Sequence, residues 1–410
     1  MTLSPATKAR ARQLGWSDAL IERIDASIIR DNTAANLALM KIPGERVEKF
    51  VDLVETNPER MSNITFRFVR TKSEKGIRAR PGPEGLGTPE INIGSYGQVP
   101  DKWPYENDTP LGSHPDPDNY APGSYYIYDK SEVWAEDVDH LYEEAIRDRW
   151  IPATDLDWNN GLKELPEEVE RAVCQLATIY SSHGLVEQKL ISKWLEPISY
   201  GFHDVKLFLG TQIYDAGHKV EALRKRALAN GGGLGQAPLG FLYRGWYGSL
   251  KFTEVVTTLD VVYKSYEVSL FECAGEIART DLERQMWELL ARDSKRHLEY
   301  GRRHLAWYMQ YHPRGRENLK LWLDRGESSL SGELRRSHPE REALVVILAD
   351  GLERLSVGIE RLRTIREKQL RDYLALMESI GIDRLPHVAA GLRRIAEDPL
   401  AVAPPPGRTL

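Results

Sequence analysis

The sequence predicts an all-α protein built on an antiparallel bundle of four long helices. Helical periodicity runs almost without interruption from about residue 132 to about 396. The segments it defines are 27 to 42 residues long, well beyond the usual helix. The turns between them are short, at Tyr200-Gly201 and at Thr280-Asp281, and short turns favour antiparallel neighbours.

In chain order, residues 1–60 read as a small helical module. Ser17 is placed to cap a helix starting at Asp18, and apolar spacing continues through Leu37, Val47, Phe50, Val51 and Val54. Residues 61–131 read as an extended arm. Ile64 to Arg70 alternate as a short strand would. Between Pro81 and Tyr125, nine prolines and seven glycines in 45 residues forbid long helices. Tyr96, Trp103, Tyr105, Tyr120, Tyr125 and Tyr126 punctuate this stretch, which suits an arm lying on folded surface better than a disordered linker. The bundle itself occupies 132–396, with helices over 165–200, 203–229, 250–278, 281–311 and 339–380, and 397–410 reads as a flexible tail. The glycines at 231–235 stop a helix. No Gly-Lys-Ser/Thr element follows to make them a phosphate loop.

Composition narrows the function classes. With 55 basic and 61 acidic residues the chain lacks the basic excess of a nucleic-acid binder. It has no apolar run of about 18 residues, so no membrane span is expected. The N-terminus lacks the apolar block of a signal peptide, which makes the cytoplasm the expected compartment. Cys174 and Cys273 are too few for a disulfide framework or a four-cysteine zinc site.

The chemistry lies in acids and histidines at helical spacing. Asp215 stands three residues before His218 on one helix face, and His297 lies in the matching part of the second hairpin. Folded about its turn, the first hairpin sets Glu187 opposite Asp215, 28 residues apart; the second sets Glu267 opposite Ser294, 27 residues apart. Glu187, Asp215, His218, Glu267 and His297 are thereby expected to converge at mid-height of the bundle. Carboxylates and imidazoles in an apolar core must be paired or metal-bound, and this donor set suits iron or manganese. His304, Glu272 and Glu276 read as structural or ion-paired groups. Tyr180, Tyr214, Tyr263 and Tyr266 are expected on or beside the inner faces, with Trp194, Trp246, Phe208 and Phe271 as core aromatics.

Two short segments carry a family resemblance. Arg292-Asp-Ser-Lys-Arg-His297 resembles the Asp-Glu-Lys-Arg-His segment of soluble acyl-carrier-protein desaturases. Asp148-Arg-Trp150-Ile-Pro-Ala-Thr-Asp-Leu-Asp157-Trp158 resembles the Gln-Trp…Asp-Ile-Pro-Trp segment of ring-epoxidising and hydroxylating di-iron enzymes. Over about residues 140–310 the chain is thus similar to the ferritin-like di-iron carboxylate superfamily. The resemblance implies a non-haem di-iron oxygenase, with two Fe ions or Mn, that uses O2 to hydroxylate, epoxidise, desaturate or N-oxygenate a small organic substrate. It also implies an electron-donor protein (a ferredoxin or a flavin reductase); a homodimer is expected. Glu187, Asp215, His218, Glu267 and His297 become the metal ligands, with Asp293 as a substitute donor.

Two positions depart from the pattern. Asp215 replaces a glutamate, and Ser294 stands where the second motif has its metal-binding glutamate. Ser294 motivates an alternative expectation: a metal-poor or metal-free ferritin-like subunit of an oxygenase complex. If two metals bind, Ser294→Glu should raise their occupancy; in a metal-free relative it should destabilise the fold.

Overall fold

The structure is a computed structural model that describes residues 3–27, 31–56, 71, 74–103, 110–114, 126–237, 241–336 and 338–401. The strand expected over 64–70, Tyr105, Tyr120, Tyr125 and most of the tail lie outside the described residues. The chain divides into two compact units, residues 1–72 and 73–410.

Among the described residues the first unit holds four short helices, α1 (Pro5–Gln13), α2 (Asp18–Ala26), α3 (Asp31–Leu39) and α4 (Gly44–Thr56). Ser17 caps α2 by accepting from the Leu20 amide. Trp16, Leu20, Ile21, Ile24, Val47 and Val51 close a core of their own.

The second unit is all helical among the described residues, apart from isolated bridges. After α5 (Thr88–Ile91) and α6 (Val138–Arg147) come the long elements α7 (Glu167–Leu195) and α8 (His203–Ala229), then the short α9 (Phe241–Tyr247). Helix α10 runs through Phe252–Val255, Val256–Tyr263 and Lys264–Ile277, the middle stretch being π-helical. Helix α11 (Asp281–Tyr311) follows, then α12 (Gly315–Arg336), α13 (His338–Ala349), α14 (Leu355–Ser379) and α15 (Ala390–Glu397). Hairpins α7–α8 and α10–α11 pack as an antiparallel four-helix bundle, while α12, α13 and α14 cover it. No helix among the described residues is long and apolar enough to cross a membrane.

The bounds of α8 and α11 coincide with the sequence reading because their ends carry local signals. Thr280 caps α11 by accepting from the Glu283 amide, and Asn230-Gly231 stops α8. The single helix expected over 339–380 is instead two. Asp350 (φ 63) and Gly351 (φ 119) adopt left-handed conformations that end α13. Helix α12 escapes the reading because Gly326, Ser328, Ser329, Ser331 and Gly332 look like loop. The arm does meet the bundle. Trp103 accepts from Ser199 through its carbonyl, Ile127 donates its amide to Pro197, and Asn92 donates to Asp204.

Candidate functional site

The four bundle helices project a polar cluster into the core. Helix α7 supplies Glu187; α8 supplies Gln212, Asp215, His218 and Lys219. Asp260, Tyr263, Lys264 and Glu267 come from α10, and Asp293, Ser294, Arg296 and His297 from α11. All are buried. Close helix approach makes this possible. A Cβ on Gly184 would stand 2.9 Å from the Ala216 carbonyl, and one on Gly301 would stand 3.0 Å from Asp260 Cβ.

The centre is a ring of ion pairs. Lys219 Nζ donates to Glu187 Oε2 at 2.8 Å and to Glu267 Oε1 at 2.7 Å. Lys264 Nζ donates to Glu187 Oε2 at 2.9 Å and to Glu267 Oε2 at 2.6 Å. Two ammonium groups therefore stand between the two carboxylates that the hairpin geometry brings together. Ser294 Oγ completes Glu267, donating to Oε2 at 2.9 Å, and the Tyr263 hydroxyl donates to Oε1 at 2.9 Å. Tyr263 in turn lies 2.6 Å from His183 Nδ1.

Beside the ring lies a second group. Arg296 donates to Asp293 Oδ1 at 2.5 Å and to Asp215 Oδ2 at 3.2 Å, while Trp150 Nε1 donates to Asp293 Oδ2 at 2.8 Å. His297 links the two halves, with Nε2 at 3.1 Å from Asp215 Oδ2 and Nδ1 at 3.3 Å from Glu187 Oε1. His218 stands at the edge between the rings of Tyr214 and Trp150, at 4.1 and 5.4 Å, and its buried Nδ1 has no hydrogen-bond partner. Asp215, His218 and Asp293 bring one ligand atom each within 4.8 Å of one another, a carboxylate/histidine group of the kind that can hold a metal ion.

Electrostatics follow from this wiring. Burial alone would push the Glu187 and Glu267 carboxyls up, but Lys219 and Lys264 hold both well below the usual range. Burial would also strip Lys264 of its proton, and the same two glutamates hold it on. For His297, burial is outweighed by the Asp215 hydrogen bond and the adjacent Glu187 carboxylate, so its pKa is raised and the imidazolium is favoured. Burial lifts Asp260 to about 7 despite the hydrogen bond from Gln212. Four carboxylates (Glu187, Asp215, Glu267, Asp293) thus face Lys219, Lys264, Arg296 and the His297 imidazolium, and the cluster is close to neutral as folded.

That balance is the test of whether a metal pair fits. Two divalent ions between Glu187 and Glu267 would have to share the space of two buried ammonium groups, adding positive charge to a neutral core. Ser294 offers a hydroxyl where a di-metal pattern has its fourth carboxylate, beside Glu187, Asp215 and Glu267. The donor set does not fit a di-metal centre.

All six residues singled out in the sequence enter one cluster, Glu187 and Glu267 being joined through the lysines. Sequence reasoning missed Lys219, Lys264, Arg296, Gln212 and Asp260. The available signal was spacing: Lys219 is four residues after Asp215 and Lys264 three before Glu267, so each shares its acid's helix face. His304 is structural, bonded on both ring nitrogens by Thr253 and the Trp134 carbonyl. Glu272 pairs with Lys295 and Lys368. Tyr214, expected near the inner face, is 51% exposed, since Asp215 takes the inward position next to it.

No family model matches the chain, and no curated protein matches it. Among solved structures, an R2-like ligand-binding oxidase with aerobically reconstituted metal cofactor after photoconversion is similar at 18% identity and TM-score 0.47, over 60% of this chain and 94% of that one.

Proposed function

We propose that the chain is a metal-poor ferritin-like subunit, one that keeps the bundle of the di-iron oxygenases and replaces their metal pair with an internal ion-pair cluster. One observation carries this reading: Glu187 and Glu267 each accept from both Lys219 and Lys264. The lysines neutralise the acids and tie α7, α8 and α10 together, which is the structural part of what a metal pair does. The cavity touching Glu267, lined in part by Tyr180, His183, Glu340 and Arg366, has a volume of about 20 Å³. That is room for a water and not for an organic substrate. In this reading, oxidation of a substrate by O2 and docking of a ferredoxin or flavin reductase belong to a catalytic partner chain. The test is anaerobic reconstitution with excess Fe(II) or Mn(II), followed by gel filtration and metal analysis. The reading expects fewer than two ions per chain and no near-ultraviolet oxo-bridge band. Two irons per chain with that band would overturn it.

A second reading, a metal-dependent oxidase, is favoured by the grouping of Asp215, His218 and Asp293. It requires metal-dependent consumption of O2 by the isolated chain, which the first reading does not.

A further inference from the structure

Where the arm meets the turn between α7 and α8, Val99, Pro100, Trp103 and Leu111 line, with Tyr200 and Gly201, a cavity of about 560 Å³. That volume suits a small organic molecule. The walls are fixed by short-range contacts. The Trp103 amide donates to the Tyr128 carbonyl at 2.8 Å, and the Trp103 carbonyl accepts from Ser199 Oγ at 2.8 Å. Its side chain lies against bare backbone: a Cβ on Gly201 would stand 2.6 Å from Trp103 Cβ and 2.7 Å from Cγ. Gly112, at φ +78, seats the Tyr96 ring in the same way, since a Cβ there would stand 2.6 Å from Tyr96 Cδ1. Walls held like this are preformed, so little ordering is lost when a ligand enters.

Charge then selects the ligand. Among the described residues that line the cavity, Asp101 alone carries a charge. The two lysines beside it are engaged elsewhere. Lys102 pairs with Asp129 at 3.5 Å. Lys130, within electrostatic reach of Asp101, turns its ammonium onto the rings of Trp134 and Trp307 at 4.7 and 4.9 Å. An aromatic wall next to a carboxylate without an ion-pair partner favours a cation, and of the aromatic side chains tryptophan attracts one most strongly. An organic anion would meet the carboxylate and no cationic group in the lining.

We infer that this cavity binds an organic ammonium ion, its charge held between the Asp101 carboxylate and the Trp103 indole and its apolar body lying on Val99, Pro100 and Leu111. Lys206, which does not line the cavity, already lies over the Tyr200 ring at 4.5 Å, so the ligand's cation falls to Trp103. The site uses none of the residues of the ion-pair cluster and goes beyond the metal-poor reading.

The test is a ligand-observed NMR titration of the full-length protein with benzyltrimethylammonium, and with choline beside its neutral isostere 3,3-dimethylbutan-1-ol. Benzyltrimethylammonium is expected to bind saturably at one site per chain, and choline at least about fivefold more tightly than the isostere. Asp101→Asn should weaken benzyltrimethylammonium by at least about threefold, because it removes the carboxylate and keeps the shape. Asp281→Asn, an exposed control at the start of α11, should change nothing. Leu111→Trp fills the cavity and should abolish binding. The choline pair is read on the wild-type chain, so it decides the matter even where a variant fails to fold. No saturable binding, equal affinities for choline and its isostere, or wild-type affinity in a folded Asp101→Asn or Leu111→Trp would overturn the inference. The metal-poor reading stands or falls separately, on iron loading.

Discussion

Replacing Lys264 with methionine probes the ion-pair ring at the more buried of its two lysines. The side chain is 1% exposed, and its ammonium donates to Glu187 and Glu267 at 2.9 and 2.6 Å. Methionine keeps much of the volume and removes the charge, so two fully buried carboxylates are left sharing Lys219 alone. Breaking one partner out of a buried pair costs about 3–5 kcal/mol. The variant can recover part of this only if one glutamate takes up a proton. In the variant that carboxyl is raised above its unfolded value, so stability is present at low pH and lost as pH rises. Urea unfolding followed by far-ultraviolet circular dichroism should therefore show a deficit of about 3–5 kcal/mol at pH 8 that shrinks towards pH 5. Adding Glu267→Gln to Lys264→Met removes the extra negative charge and should restore a large part of the loss. A Lys264→Met protein as stable as wild type at pH 8 would show that the lysine is not the counter-ion of the glutamates.

Ser294→Glu places a fifth carboxylate against Glu267 in a cluster already close to neutral. It should lower stability by several kcal/mol without raising iron content, read by melting curves and metal analysis. Trp150→Phe removes the hydrogen bond to Asp293 and should cost about 1–3 kcal/mol in urea unfolding. Asp204 is buried with Oδ1 unpartnered, and burial, followed by Asp139, raises its pKa to about 6. Its folded form favours the proton, so its contribution is greatest below the unfolded value near 4 and is lost as pH rises through about 6. Asp204→Asn should accordingly stabilise the protein by up to about 3 kcal/mol at pH 7.5 and by little at pH 4, measured as the difference between two urea titrations. Asn92 keeps an oxygen acceptor in that variant.

How much of this was legible in the sequence differs between backbone and charge. The bundle was legible because its helices are long, amphipathic and locally terminated. Thr280 and Asn230-Gly231 set the ends of α11 and α8 without help from the rest of the fold. The convergence of acids and histidines was legible too, since the two arms of an antiparallel hairpin rise equally from their turn and residues equidistant from it meet. The break at Asp350-Gly351 was not, because an Asp-Gly pair inside strong helical periodicity signals a turn only once its left-handed backbone is seen. The lysines were the larger omission. A lysine beside a histidine reads as solvated, and Lys219 is inward only because Asp215, one turn earlier, already faces the core. Lys264 follows the π-helical stretch Val256–Tyr263, whose wider turn shifts the side-chain phase that periodicity alone would assign. Ser294 was readable as a departure from the motif the segment resembles. That two internal cations stand between Glu187 and Glu267 is visible only in three dimensions.

The most direct measurement is a crystal structure of iron-reconstituted protein with anomalous data collected at the iron edge. The internal ion-pair cluster predicts no anomalous peak between Glu187 and Glu267, with the Lys219 and Lys264 ammonium groups ordered there and hydrogen-bonded to both carboxylates. A pair of iron peaks in that position, with the two lysine side chains displaced from it, would contradict it.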